Sequence, residues 1–149
     1  MKIYLAGPLF TTAEREFNTK LAGLLRDRGH EIWLPQELEQ RDKTADQVFR
    51  KDIEGIDWAD VVVANMDGAD PDSGTCWECG YAFKQKPVIV FRSDFRRGEE
   101  PGKGSYNLML TQSSTIQIEL PYASTEAIAA RITDALRELP IRQPDRAFA

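Results

Sequence analysis

One stretch of this sequence concentrates acidic side chains at spacings that could do nucleophilic and acid–base chemistry. From Asp67 to Glu78 the chain reads DGADPDSGTCWE, placing Asp67, Asp70 and Asp72 on a loop and a glutamate at the start of the next helical pattern. Two carboxylates held near one another are what glycosidic-bond chemistry needs: one ionised to attack the electron-poor sugar carbon, one handling the proton of the leaving group. A glutamate in a first helical turn would feel the positive end of the helix dipole and stay ionised. A loop aspartate beside another carboxylate resists ionising alongside it. The pattern therefore predicts Glu78 as nucleophile and Asp72 as acid. The same residues have plainer uses. Thr75 and Glu78 stand at capping-box spacing, Asp-Gly and Asp-Pro are ordinary turn formers, and several loop carboxylates would suit magnesium. No lysine follows the glycine as a phosphate-binding P-loop requires.

Other chemistry is less well supported. Cys76 and Cys79 form a lone C-x-x-C, and the single histidine, His30, is far away, so a four-ligand zinc site is not available. A redox motif is the alternative, but Trp77 and Glu78 between the cysteines favour two buried apolar thiols. His30 reads as a turn residue. The net charge of −5, with basic residues scattered among acids, argues against a nucleic-acid partner and leaves a small molecule as the default. Hydrophobic residues at 42% and charged residues at 29% fit one globular domain over residues 1–149, with 140–149 as a tail. The opening MKIYLAGPLF is too short an apolar run for a signal peptide or a membrane span, so a cytoplasmic protein with no membrane partner is expected.

The elements that must position these residues alternate between strand and helix. KIYLA (2–6), EIWL (31–34), DVVVA (60–64) and PVIVF (87–91) read as buried strands, and 115–120 as an edge strand. Helices are expected after Thr11, with a Phe17, Leu21, Leu24, Leu25 stripe and a stop at Gly29, and after Thr44, carrying Val48, Phe49, Ile53 and Ile56. Further helices are expected from about 75 to 84, briefly within 105–112, and from about 124 to 139. The segment 92–104, charged and glycine-bearing, has the character of a lid. This order implies an α/β fold, a flavodoxin-like or Rossmann-like three-layer sandwich with a five-stranded, mostly parallel sheet. Ligands of such sheets sit at the carboxyl ends of the strands, where Gly7 to Phe10 and the loop containing Asp67 fall.

Several blocks together carry a resemblance. DSGTCWECGYA (72–82) followed by KPVIV (86–90), IYLAGPLF (3–10), DIEGIDWADVVV (52–63) and the late Asn107-Leu-Met are similar, in order, to segments of the nucleoside 2-deoxyribosyltransferases. The resemblance implies Glu78 as the nucleophile that forms a deoxyribosyl ester, Asp72 as the carboxylate handling the base and its proton, and Asp52 as a second member of that network. It implies Tyr4 as the hydroxyl orienting the nucleophile, and Asn107 as a residue lent by a neighbouring subunit to the sugar, with Met109 beside it. Phe10 would stack on the base, and Gly7 and Asp67 would complete the substrate-binding set. Tyr4 could instead pack in the core, Asp52 lie on a surface beside Arg50 and Lys51, and Phe10 act as a hydrophobic staple. No metal or organic cofactor is implied. The expected partners are nucleosides, free nucleobases and further copies of the chain, in a homodimer or larger homo-oligomer with shared sites. The alternatives are a nucleoside 5′-monophosphate N-glycosidase and a non-catalytic nucleotide-binding domain. The first would need a phosphate cradle, and the loop after the first strand has no arginine before Arg15.

Overall fold

The computed structural model describes residues 1–38, 41–96 and 104–139. The expected tail and residues 97–103 of the charged segment lie outside the described residues. Five strands, β1 (Lys2–Ala6), β2 (Glu31–Trp33), β3 (Val61–Asn65), β4 (Val88–Arg92) and β5 (Ile116–Glu119), form one sheet in the order β2-β1-β3-β4-β5. Every pairing is parallel, and β5 is at an edge as expected. The helices are α1 (Thr12–Arg26), α2 (Ala45–Trp58), α3 (Ser73–Ala82), α4 (Leu108–Ser113) and α5 (Thr125–Glu138), with one 3-10 turn at Pro35–Glu37. This is the flavodoxin-like order of an α/β fold, and its strand order reverses between β1 and β3.

The inner strands are apolar without alternation because both faces of the sheet are covered. Side chains one residue apart point to opposite faces. Ile3, Leu5, Val61, Val63, Ile89 and Phe91 therefore pack with Leu21 and Leu25 of α1 and Ile128 and Ile132 of α5. Tyr4, Ala6, Val62, Ala64, Val88 and Val90 face the other way, onto Ile56 of α2, Cys79 and Ala82 of α3, and Leu110 of α4. The second layer is closely fitted. A Cβ on Gly55 would fall 2.3 Å from the Trp33 indole, so only glycine lets α2 approach β2 there. The Lys86 ammonium closes the end of α2, donating to the carbonyls of Ile56 at 2.5 Å and Ala59 at 2.7 Å.

Helix starts follow the sequence signals, with one exception. Thr11 with Glu14, and Thr44 with Gln47, form complete capping boxes. The expected box between Thr75 and Glu78 does not form. Asp72 caps α3 instead, its Oδ2 accepting from the Thr75 amide at 2.9 Å and the Thr75 hydroxyl at 3.1 Å. Aspartate is the stronger N-cap, and it claims the Thr75 amide that a box would have paired with the Glu78 side chain. The helix thus starts at Ser73, and Glu78 is its sixth residue, one turn deeper than the pattern suggested.

Candidate active site

The strand order switches between β1 and β3, whose carboxyl ends lead into Gly7 and into the loop that carries Asp67 and Asp72. Gly7 follows β1, and a Cβ there would meet Asn65 Cβ at 3.3 Å and Asn18 Oδ1 at 3.5 Å, so glycine lets this loop lie close to the end of β3. Asn18 was not singled out from the sequence. It is 5% exposed, and its amide nitrogen donates to the Pro8 carbonyl at 2.9 Å and to Gln36 Oε1 at 3.0 Å. The available signal was a polar residue on the apolar stripe of α1, three residues before Leu21.

Tyr4 is fully buried in the middle of β1, and its hydroxyl donates to Glu78 Oε1 at 2.5 Å. Strand alternation sends this side chain to the layer containing α3, where the second helical turn brings Glu78 over it. Tyr4 does pack in the core, and its hydroxyl is nonetheless committed to Glu78. Asp52 comes from α2. Its cationic neighbours are engaged elsewhere, Arg50 with Asp46 at 2.8 Å and Lys51 with Glu54 at 2.5 Å. Asp52 itself is half-buried, with Oδ1 out of solvent and without a hydrogen-bond partner among the described residues. An unpaired buried carboxylate oxygen is costly unless something binds it or a proton occupies it.

The electrostatics differ from the expected division of roles. Glu78 lies too deep in α3 for its ionised form to be held by the helix start. Burial pushes its carboxyl up from 4.5 to about 7, the charges of Asp52 and Asp72 add to the rise, and the Tyr4 hydrogen bond partly opposes it. Burial also raises Asp52, and Tyr4 is raised by burial and by the adjacent Glu78. The carboxyls of Glu78 and Asp52 and the Tyr4 phenol thus share one region in which negative charge is resisted. Such a site suits a reaction that develops positive charge, since an oxocarbenium-like sugar would relieve it.

The remaining residues are placed as follows. Both Asp67 oxygens face the loop after β4, Oδ1 accepting from the amides of Ser93 at 2.6 Å and Asp94 at 2.8 Å, and Oδ2 from the Ser93 hydroxyl at 2.7 Å. Asn107 caps α4 through the Met109 amide at 2.9 Å. Phe10 and Met109 are 76% and 71% exposed, so neither is a core residue, and the staple suggested for Phe10 is not formed. Trp77 is exposed and stacks on Tyr81, with the Phe49 ring at its edge. Cys79 is buried and its thiol is pushed up to about 12, while burial also raises half-buried Cys76. Thiols held protonated in this way are the opposite of a redox pair. Among the described residues no group of three or more His, Cys, Asp or Glu side chains is placed to hold a metal ion, and no helix is long and apolar enough to cross a membrane.

Comparison with known proteins places the chain in a family. Residues 3–109 match the family model described as nucleoside 2-deoxyribosyltransferase. An uncharacterized protein of Ureaplasma parvum serovar 3 is 33% identical over 94 residues, covering 54% of this chain and 58% of that one, so the match spans little more than half of the relative's length. Among solved structures, the 2-deoxyribosyltransferase of Bacillus psychrosaccharolyticus is 31% identical, with 87% of this chain and 90% of that chain covered and a TM-score of 0.66. A conserved protein of Enterococcus faecalis V583 is 25% identical, with 91% and 98% covered and a TM-score of 0.72.

Proposed function

Because the chain belongs to the nucleoside 2-deoxyribosyltransferase family, we propose that it moves 2-deoxyribose between nucleobases through an ester on Glu78. The observation that carries this reading is the 2.5 Å bond from the buried Tyr4 hydroxyl to Glu78 Oε1. It fixes one carboxylate oxygen and leaves the other to face a sugar. Glu78 attacks the anomeric carbon, the carbon–nitrogen bond breaks, and its electron pair leaves with the base, which takes a proton handled by Asp72. A second base then attacks the same carbon and displaces the glutamate, so configuration is retained overall. A carboxylate raised to about 7 is more nucleophilic than an ordinary one and still substantially ionised near neutrality.

Asp52, whose Oδ1 lacks a partner among the described residues, offers an acceptor for a base edge or a place for a relayed proton. Phe10, Asn107 and Met109, all exposed in one copy, suit a site completed by a second copy, with Asn107 and Met109 reaching the sugar across the interface. The Phe49–Trp77–Tyr81 cluster, with Phe49 and Trp77 exposed, joins α2 and α3, the two helices that carry Asp52 and Glu78. The substrates are free nucleosides and nucleobases of the cytoplasm. Water entering the ester stage would give hydrolysis instead of transfer.

The test is product analysis with 2′-deoxyinosine and adenine. Formation of 2′-deoxyadenosine that disappears in Glu78→Ala supports the reading. Free deoxyribose alone would make the protein a hydrolase, and turnover only of 5′-monophosphates would make it a nucleotide N-glycosidase.

A further inference from the structure

The ends of β3 and β4 carry a set of bonds that this chemistry leaves unused. Arg92, the last residue of β4, is 2% exposed. Its guanidinium lies against the loop after β3, donating to the carbonyl of Met66 and, at 2.9 Å, to that of Gly68. Bonds also run in the other direction. Asp67 accepts the three hydrogen bonds from Ser93 and Asp94 described above, and Asp94 Oδ2 accepts from the Gly68 amide at 3.2 Å. Each loop therefore gives a charged side chain to the other's backbone, forming a reciprocal clasp. The guanidinium also lies 5.9 Å from the ring centre of buried Tyr106, the residue before Asn107.

The clasp ends close to the site. Only Ala69, Asp70 and Pro71 separate Gly68 from Asp72. Gly68 has φ +113, and a Cβ there would sit 3.0 Å from the Asp70 carbonyl oxygen, so the turn depends on glycine. Pro71 restricts the next step, and Asp72 is held as the cap of α3. A connection this short, with both ends tied, carries a displacement of Gly68 on to Asp72.

We infer that Arg92 and Asp67 are positioning residues for departure of the base: their clasp sets where the Asp72 carboxylate stands relative to Glu78. The inference rests on Asp72 handling the base proton. It also gives Asp67 a role in place of substrate contact. A purely structural clasp would slow all substrates alike when broken. A positioning clasp penalises those substrates whose base needs a proton to leave.

The experiment measures kcat and KM across 2′-deoxynucleosides whose bases differ in basicity, with 7-methyl-2′-deoxyguanosine, whose base is already cationic, at one extreme. Asp72→Asn is the reference, and all rates are taken well below each variant's melting temperature. Arg92→Met and Asp67→Ala are expected to lose about ten- to hundredfold in kcat on 2′-deoxyinosine and about threefold or less at the cationic extreme. Arg92→Lys, which keeps one donor toward the carbonyls, should fall between wild type and Arg92→Met. Asp67→Ala breaks the clasp from the other loop and answers the question if Arg92→Met does not fold. Uniform losses in the clasp variants beside a selective loss in Asp72→Asn would overturn the clasp inference alone. A uniform loss in Asp72→Asn would overturn the assigned role of Asp72, and the inference with it.

Discussion

Replacing Glu78 by glutamine keeps the side chain's shape and leaves Tyr4 an oxygen to donate to, while removing the proton equilibrium. In the folded wild type the carboxyl lies at about 7, against 4.5 for the free side chain, chiefly because it is buried. The native state therefore binds this proton more tightly than the unfolded chain does. Stability from that source is fully present below about 4.5, declines as pH rises, and is lost once pH has passed about 7. At about 1.4 kcal/mol per pH unit the interval corresponds to about 3 kcal/mol that ionised Glu78 costs the fold. Glu78→Gln has no such cost. Its stability relative to wild type should rise between pH 5 and pH 8, reaching about 3 kcal/mol, or roughly 6–12 °C in melting temperature for a domain of this size. Urea unfolding of both proteins at pH 5, 6, 7 and 8 measures the difference, and the variant should be inactive throughout. A stability difference that stays flat with pH, or favours wild type at pH 8, would refute the argument that Glu78 is held against its preferred ionisation.

Further expectations follow from the same geometry. The rate should rise with pH as Glu78 ionises around 7, and Tyr4→Phe, by removing the bond that favours the carboxylate, should move that limb to higher pH while lowering the maximum. Asp52→Asn removes a like charge and should move it to lower pH; a shift in the same direction as Tyr4→Phe would contradict the described electrostatics. Gly55→Ala drives a methyl into the Trp33 ring and should cost about 1–3 kcal/mol in urea unfolding, with Glu78 chemistry intact at low temperature. If Asn107 completes a neighbour's site, mixing inactive Glu78→Ala with impaired Asn107→Ala should restore activity toward about a quarter of the wild-type sites through random dimer pairing. No recovery after subunit exchange would place Asn107 outside the partner's site.

The fold was legible because its signals are local and mutually consistent. Apolar runs without alternation mark strands buried on both faces, and two capping boxes mark α1 and α2. What was not legible turns on competition between alternatives the sequence offers equally. Asp72 and Thr75 are both acceptable caps, and only the folded chain shows the aspartate winning, which moves Glu78 from the first turn to the second and replaces help from the helix start with burial. Asp67 stands at a strand end beside other acids, which suggests a ligand contact but says nothing of its partners within the chain. These, Ser93 and Asp94, are 26 and 27 residues away, and no spacing rule links them. Asn18 and Arg92 escaped notice for a related reason: a polar residue within an apolar stripe or at a strand end becomes informative only when its partners are known.

The central claim, that Glu78 carries the sugar, is tested most directly by rapid acid quench of the enzyme with 2′-deoxyinosine, followed by mass spectrometry of the protein and its peptides. The account predicts one added deoxyribosyl unit on the peptide containing Glu78, lost when adenine is supplied before the quench and absent in Glu78→Gln. Active enzyme that never carries the sugar, or carries it on another residue, would contradict it.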